Sequence, residues 1–185
     1  MSKVARGVPL VLSAPSGGGK TTLCHRLVDE LASIEFSVSH TTRSPRGKEV
    51  NGVDYHFVDD SEFKSMIDAG KFLEWAEVHS KRYGTGLEQA ESRLSQGTDV
   101  LFDIDIQGGH QIAERMDDAV LIFILPPSMS VLEGRLKGRG TDSSEQIEKR
   151  MQAAAQEIKA ATGYTHWIVN DDLDAAYEEL KSVVV

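Results

Sequence analysis

A chain of 185 residues, 40% hydrophobic and 26% charged, can bury one sizeable core and is too short for several ordinary domains. Its formal net charge of −9 argues against steering of nucleic acid by a basic surface, so an anionic ligand must be met by cations gathered at one site. The single cysteine, Cys24, excludes an intramolecular disulfide framework, no apolar run reaches bilayer length, and Met1 to Gly7 carries no secretory signal; the expectation is a cytoplasmic protein that engages neither nucleic acid nor membrane.

Val8 to Ser13 is a short apolar run that reads as a buried parallel strand. Behind the glycine-rich segment that follows it, Leu23, Leu27, Val28 and Leu31 recur at helical spacing and predict a helix over 20–32. Phe36 to Thr42 alternates in strand fashion and Tyr55 to Val58 reads as a further strand, with turns at Ser44-Pro45-Arg46-Gly47 and Asn51-Gly52. Asp60-Ser61-Glu62 opens a helix that Gly70 stops. Phe72 to Val78 is extended, and Gly84-Thr85 leads into a helix over 88–96. Val100 to Ile106 and Val120 to Leu125 suit buried strands, and His110 reads as a helix-start residue between them. Helices are predicted over 130–139 and 143–162, then a strand at His166–Val169 and a closing helix over 173–183. Strands alternating with helices in this order predict an α/β fold: a parallel sheet flanked by helices, with a small mixed α+β insert.

The segment Ser13-Ala14-Pro15-Ser16-Gly17-Gly18-Gly19-Lys20-Thr21-Thr22 carries the strongest chemical signal. A triphosphate needs a loop that turns backbone N–H groups inward, which glycine permits, and a helix whose positive N-terminal end faces the anion. Lys20 supplies a point charge for the β- and γ-phosphates and Thr21 a hydroxyl for Mg²⁺. The motif G-x-x-x-x-G-K-[ST] wants glycine where this chain has Ala14, a replacement that is mild provided its φ is negative.

Further blocks resemble the guanylate kinase family. Ser37-Val38-Ser39-His40-Thr41-Thr42-Arg43-Ser44-Pro45-Arg46, Gly47 to Tyr55, Phe72-Leu73-Glu74-Trp75-Ala76 and Tyr83-Gly84-Thr85 are similar to its motifs. So are Asp103-Ile104-Asp105-Ile106-Gln107-Gly108, Arg135 to Thr141 and Ile168 to Asp172, all in family order over nearly the whole chain. The resemblance implies a P-loop NTPase fold with core 1–36, 97–126 and 163–185, a GMP-binding insert over 37–96 and a helical lid over 127–162. It implies phosphoryl transfer from ATP to GMP. Arg43, Arg46, Tyr55 and Tyr83 would hold the GMP phosphate, a dianion suited to paired guanidinium donors. Glu74 would accept from guanine N1–H and its amine, with Ser39 and Thr85 near O6.

Asp103 and Asp105 follow an apolar strand at the end where ligands of parallel sheets gather. Asp103 is the candidate for Mg²⁺, through water, and Asp105 for the nucleoside or for capping the next helix. Arg135, Arg139 and Arg150 match the lid arginines that close over the ATP phosphates, and Asn170 a position near adenine. The expected catalytic set is Lys20, Arg46, Arg139 and Arg150. Two other readings remain open: a guanylate kinase-like module that holds protein ligands, and a P-loop kinase with another acceptor.

Overall fold

The structure is a computed structural model that describes residues 5–78, 80–138, 140 and 142–185. In chain order it comprises β1 (Pro9–Ser13), α1 (Lys20–Glu30), β2 (Ile34–Phe36), β3 (His40–Thr41), β4 (His56–Phe57), α2 (Asp60–Asp68), β5 (Phe72–Val78) and β6 (Lys81–Gly86). There follow α3 (Leu87–Ser95), β7 (Asp99–Asp103), α4 (Ile106–Arg115), β8 (Val120–Leu125), α5 (Met129–Gly138), α6 (Ser144–Ala160), β9 (His166–Val169) and α7 (Leu173–Val184). Five strands form a parallel sheet in the order β2-β7-β1-β8-β9, and four form a mixed sheet in the order β4-β3-β6-β5. No helix among the described residues is long and apolar enough to cross a membrane.

The chain divides into two compact units. One holds the segment up to Pro9 with 33–102 and 107–119, the other 10–32, 103–106 and 120–185. The first therefore takes in β2, most of β7 and α4 besides the segment 37–96. In it β5 and β6 form a hairpin with Glu74 opposite Thr85, β3 pairs antiparallel with β6, and β4 parallel with β3. The free side of β5 is covered from α4: the Gln111 amide bonds both the N–H and the carbonyl of Trp75, and Arg115 Nη1 donates to the Phe72 carbonyl at 2.7 Å. Side-chain bonding of this kind occupies backbone groups that an edge strand would otherwise expose.

In the second unit β1 pairs with β8 and β8 with β9. Every residue of β1 is buried, as expected for a strand covered on both faces. The two helices α5 and α6 share a small core of Leu132, Leu136, Ile147 and Ala154, with Met129 and Met151 packed against it. A capping box starts α6: Ser143 accepts from the Gln146 N–H while the Gln146 side chain accepts from the Ser143 N–H.

Four sequence expectations change. The single strand expected over Phe36–Thr42 is two strands in two sheets: Ser37 donates its N–H to Leu101 and Ser39 accepts from His56, so residues 37–39 carry the chain between ladders. The segment Lys81–Gly86 is a strand that neither its charges nor its glycines announced. A Cβ at Gly84 would lie 2.9 Å from the Phe72 ring and 3.0 Å from Trp75 Cβ, so glycine serves close cross-strand packing. The strand over 100–106 ends at Asp103, and His110 lies inside α4 rather than at its start.

Candidate active site

In the second unit the sharp turn from β1 into α1 is built by glycine. Gly17 and Gly19 have φ of 94° and 91°, values a residue with Cβ adopts only under strain. Among the described residues Ser80 is the non-glycine position with positive φ, so Ala14 sits in the negative-φ region that its replacement of glycine required. Gly18 donates its N–H to the Pro15 carbonyl at 2.8 Å, tightening the arm of the loop that lacks glycine. Gly19 caps α1, whose helix begins at Lys20.

Lys20 Nζ lies 2.6 Å from Asp103 Oδ1 and donates to the Ile104 carbonyl at 2.8 Å. Ser13 Oγ reaches the same carbonyl at 2.9 Å and bonds Tyr164 Oη at 2.7 Å, so the lysine, the end of β7 and the end of β1 are tied together. A cavity over the loop is lined by residues 14–22, by Asp105 and by Glu157 from α6. A second cavity borders the loop at Gly17 and Gly19, with Arg135, Gly138, Asn170, Asp171 and Leu173 around it. Asn170, 4% exposed, donates Nδ2–H to the Gly18 carbonyl at 2.8 Å and accepts at its own carbonyl from Arg135 Nη2 at 2.8 Å. Arg135 and Asn170 thus meet at the loop, and Asn170 also buttresses it. Arg150 pairs with Asp142 at 3.4 Å within the helical segment. Arg139 lies outside the described residues.

The first unit holds the other half of the expected residues. Arg43 is buried, and its guanidinium makes a two-point pair with Glu49, Nη1 to Oε2 and Nη2 to Oε1, each 2.9 Å. The same Glu49 accepts from the Arg46 backbone N–H at 2.7 Å, leaving the Arg46 side chain exposed. Glu49 first, then the Tyr83 hydroxyl, raise the Arg43 pKa, and Arg43 in turn holds the Glu49 carboxyl below its usual range. The Arg43 guanidinium lies 5.2 Å from the Tyr55 ring centroid, and Tyr55 and Tyr83 meet edge to face at 6.1 Å. The loop bearing Tyr55 is fixed by Asn51 and Asp54, which accept from the Phe57 and Val50 N–H groups.

On β5, Glu74 is 5% exposed and accepts a 2.6 Å hydrogen bond from Thr85 Oγ1, its cross-strand neighbour. Thr85 is on the same face of β6 as Tyr83 by the two-residue period of a strand. Ser39 is half-buried and its carbonyl accepts from the His56 N–H. Thus Arg43, Tyr55 and Tyr83 are brought together, and Glu74 with Thr85.

Sequence reasoning passed over Glu49 and Glu157. Glu49 had a local signal, a carboxylate six residues after one arginine and three after another across a Pro-Arg-Gly turn. Glu157 had none, since its place is set by how α6 lies over the loop. Cys24 is fully buried and burial pushes its thiol pKa up, which fits an inert helix residue.

A family model described as guanylate kinase matches residues 6–185. The chain belongs to the guanylate kinase family. It is 51% identical to a guanylate kinase of Geobacter metallireducens over 179 residues, 97% of this chain and 88% of that one. With a guanylate kinase of Myxococcus xanthus it shares 52% identity over 180 residues, 97% and 86% of the two chains. The crystal structure of guanylate kinase from Anaplasma phagocytophilum superposes with a TM-score of 0.79 at 35% identity, covering 97% of this chain and 85% of that one. The fold is accordingly that of the guanylate kinases, an α/β P-loop NTPase.

Proposed function

We infer that this chain is an ATP:GMP phosphotransferase, moving the γ-phosphoryl group of ATP to GMP to give ADP and GDP. Family membership over residues 6–185, with relatives near 50% identity, supports the activity. The observation that carries the choice of acceptor is the buried Glu74–Thr85 pair. A carboxylate inside a sheet demands donors, and guanine offers N1–H and an amine on one edge where adenine does not. We assign Glu74, Thr85 and Ser39 to the base, and Asp105 to the nucleoside.

The roles of the remaining residues follow from their chemistry. Arg43 and Arg46, with the hydroxyls of Tyr55 and Tyr83, bind the GMP phosphate. Glu49 holds Arg43 in one orientation while leaving N–H groups of its guanidinium for that phosphate. Residues 14–22 bind the ATP phosphates, Arg135 and Asn170 the nucleoside side of the loop, and Arg139 and Arg150 the transferring group. Transfer passes through a loose transition state with charge spread over equatorial oxygens, so fixed cations do most of the work and no covalent intermediate is needed. Residues 127–162 act as the lid and 37–96 as the GMP-binding segment of one domain.

Magnesium fits the donor set beside the loop: the exposed Thr21 hydroxyl and the Asp103 carboxylate are hard oxygens. Among the described residues there is no group of three or more His, Cys, Asp or Glu side chains that could hold a metal. A metal that arrives with nucleotide phosphates needs only one or two protein oxygens. When bound, Mg²⁺ neutralises charge developing on the phosphates. Both substrates are intracellular nucleotides, and the cytoplasm is the compartment we assign.

A coupled assay of ADP production with ATP and Mg²⁺, offering GMP, dGMP, AMP, UMP and IMP in turn, tests the reading. GMP is expected to be used and AMP rejected by about 10⁴-fold in kcat/KM, as for sites built around a hydrogen-bonded substrate group. Equal use of AMP overturns the assignment of Glu74. No ADP with any acceptor points to a protein-binding module.

A further inference from the structure

Glu157 is a carboxylate in a place built for polyanions. From α6 it lines the cavity over the phosphate loop together with Asp105 and residues 14–22. Its Oε2 is buried and has no hydrogen-bond partner among the described residues. Burial raises its pKa and the Asp105 charge adds to this, while the Ser16 backbone N–H, near the carboxylate but outside hydrogen-bond geometry to Oε2, and the Lys20 charge act the other way. A buried acceptor left without a donor costs roughly 1–3 kcal/mol, so its presence calls for a donor that arrives with the ligand.

The ligand's own chemistry narrows the donor. A triphosphate at neutral pH presents acceptors to the loop and would repel a second carboxylate. Waters of hydration on Mg²⁺ are donors, polarised by the ion, and Mg²⁺ retains several of them when it binds phosphates. We propose that Glu157 is a positioning residue for the metal-bound nucleotide, its buried oxygen accepting from a water on the Mg²⁺ that travels with ATP. This rests on the assignment of magnesium to the loop and adds to it a carboxylate contributed by the lid segment. The consequence is that α6, which carries Arg150 as well, is drawn to the loop by the metal complex and not by free ATP.

The test is calorimetric binding of a non-hydrolysable ATP analogue, with Mg²⁺ and with EDTA, to the wild-type chain, to Glu157→Gln and to Glu157→Asp. Both variants keep Ile147 and Ala154, the buried residues of α6, and their thermal midpoints without nucleotide are recorded beside the wild type. Loss of a partner outside the inner coordination sphere of a metal typically weakens binding by about 10–100-fold. The expected result is a loss of that order with Mg²⁺ and unchanged or tighter binding in EDTA, where one negative charge near the phosphates has gone. Glu157→Asp, which keeps the charge and withdraws it, should lose affinity with Mg²⁺ as well. An equal loss in both media assigns Glu157 to the ribose, the base or the loop's structure and overturns the proposal, as does no loss in either. A wild-type chain that binds the analogue equally well with and without Mg²⁺ overturns the magnesium assignment itself.

Discussion

Lys20 Nζ sits 2.6 Å from Asp103 Oδ1 and donates to the Ile104 carbonyl, so the cation of the phosphate loop is held by the end of β7. Both side chains are half-buried, 18% and 27% exposed, so the pair's net worth is small while removing the lysine alone leaves Asp103 partly desolvated without its partner. The pair is better understood as a way of aiming the lysine. Lys20→Met should therefore lower stability in urea by about 1–3 kcal/mol with the fold kept, and reduce turnover by about 10²–10³-fold or more, the usual loss when a charge-stabilising donor is removed. Steady-state assays with circular dichroism on the same sample read both. Near-normal turnover would remove the loop from the mechanism.

Glu74 and Thr85 face each other across β5 and β6 with a 2.6 Å bond, and both are buried. Glu74→Gln keeps the shape but turns half of the carboxylate into a donor, which meets guanine N1–H or the amine with the wrong polarity. The expected effect is a rise in the GMP KM of about 100-fold or more, with the KM for ATP within a factor of about three. Parallel losses for both substrates would assign Glu74 to folding instead.

Much of this was legible in the sequence because the informative features are local. Strand, glycine loop and helix are adjacent in the chain, and the loop's glycines mark where φ must be positive. The acceptor residues were legible only through resemblance to a family, since Arg43 and Glu74 are far apart in sequence and periodicity places neither. What escaped reading depends on tertiary packing. The strand Lys81–Gly86 is set by its pairing with β3 and β5, where Phe72 packs beside Gly84, and Glu157 meets the loop because α6 crosses it. The two roles of Asn170, cavity wall and bond to Gly18, likewise join residues 152 positions apart.

His40 and His56 stack at 4.6 Å on the paired strands β3 and β4, and His40 Nδ1 is buried without a hydrogen-bond partner among the described residues. Burial first, then His56, lower the His40 pKa from 6.5 to about 4. The unfolded chain then binds more protons than the folded one between these values, so stability is full above pH 6.5 and falls as the pH drops toward 4. Linkage puts that loss on the order of 1–3 kcal/mol, the lower end reflecting solvent screening at this half-buried ring. Glu49, whose carboxyl Arg43 holds low, loses its contribution as the pH falls from the ordinary carboxylate pKa downward and leaves the upper part of this window clear, while Glu157, raised by burial, gains stability as the pH falls and offsets part of the decline. Urea unfolding at pH 7, 6, 5 and 4.5 should show the decline in the wild type and a flatter curve for His40→Phe, which keeps an aromatic ring against His56. Curves of the same slope would mean that another group governs the window.

Gly19 answers to two constraints at once. Its φ of 91° lies in the left-handed region, and a Cβ there would come within 2.2 Å of Asn170 Nδ2. Strain of the first kind costs about 1–3 kcal/mol, and the second forces out an amide that is bonded to the Gly18 carbonyl. Gly19→Ala is therefore expected to weaken binding of the ATP analogue by about tenfold or more and to lower the unfolding midpoint. Asn170→Ala alone removes a buried hydrogen bond and should be milder. In the double variant the clash is gone but the backbone strain remains, so its destabilisation should fall short of the summed single values by roughly 0.5–3 kcal/mol, the range for residues in contact. Simple additivity in urea unfolding would show that the loop moves away from Asn170 when Gly19 is changed, and that the asparagine is not what holds it in place.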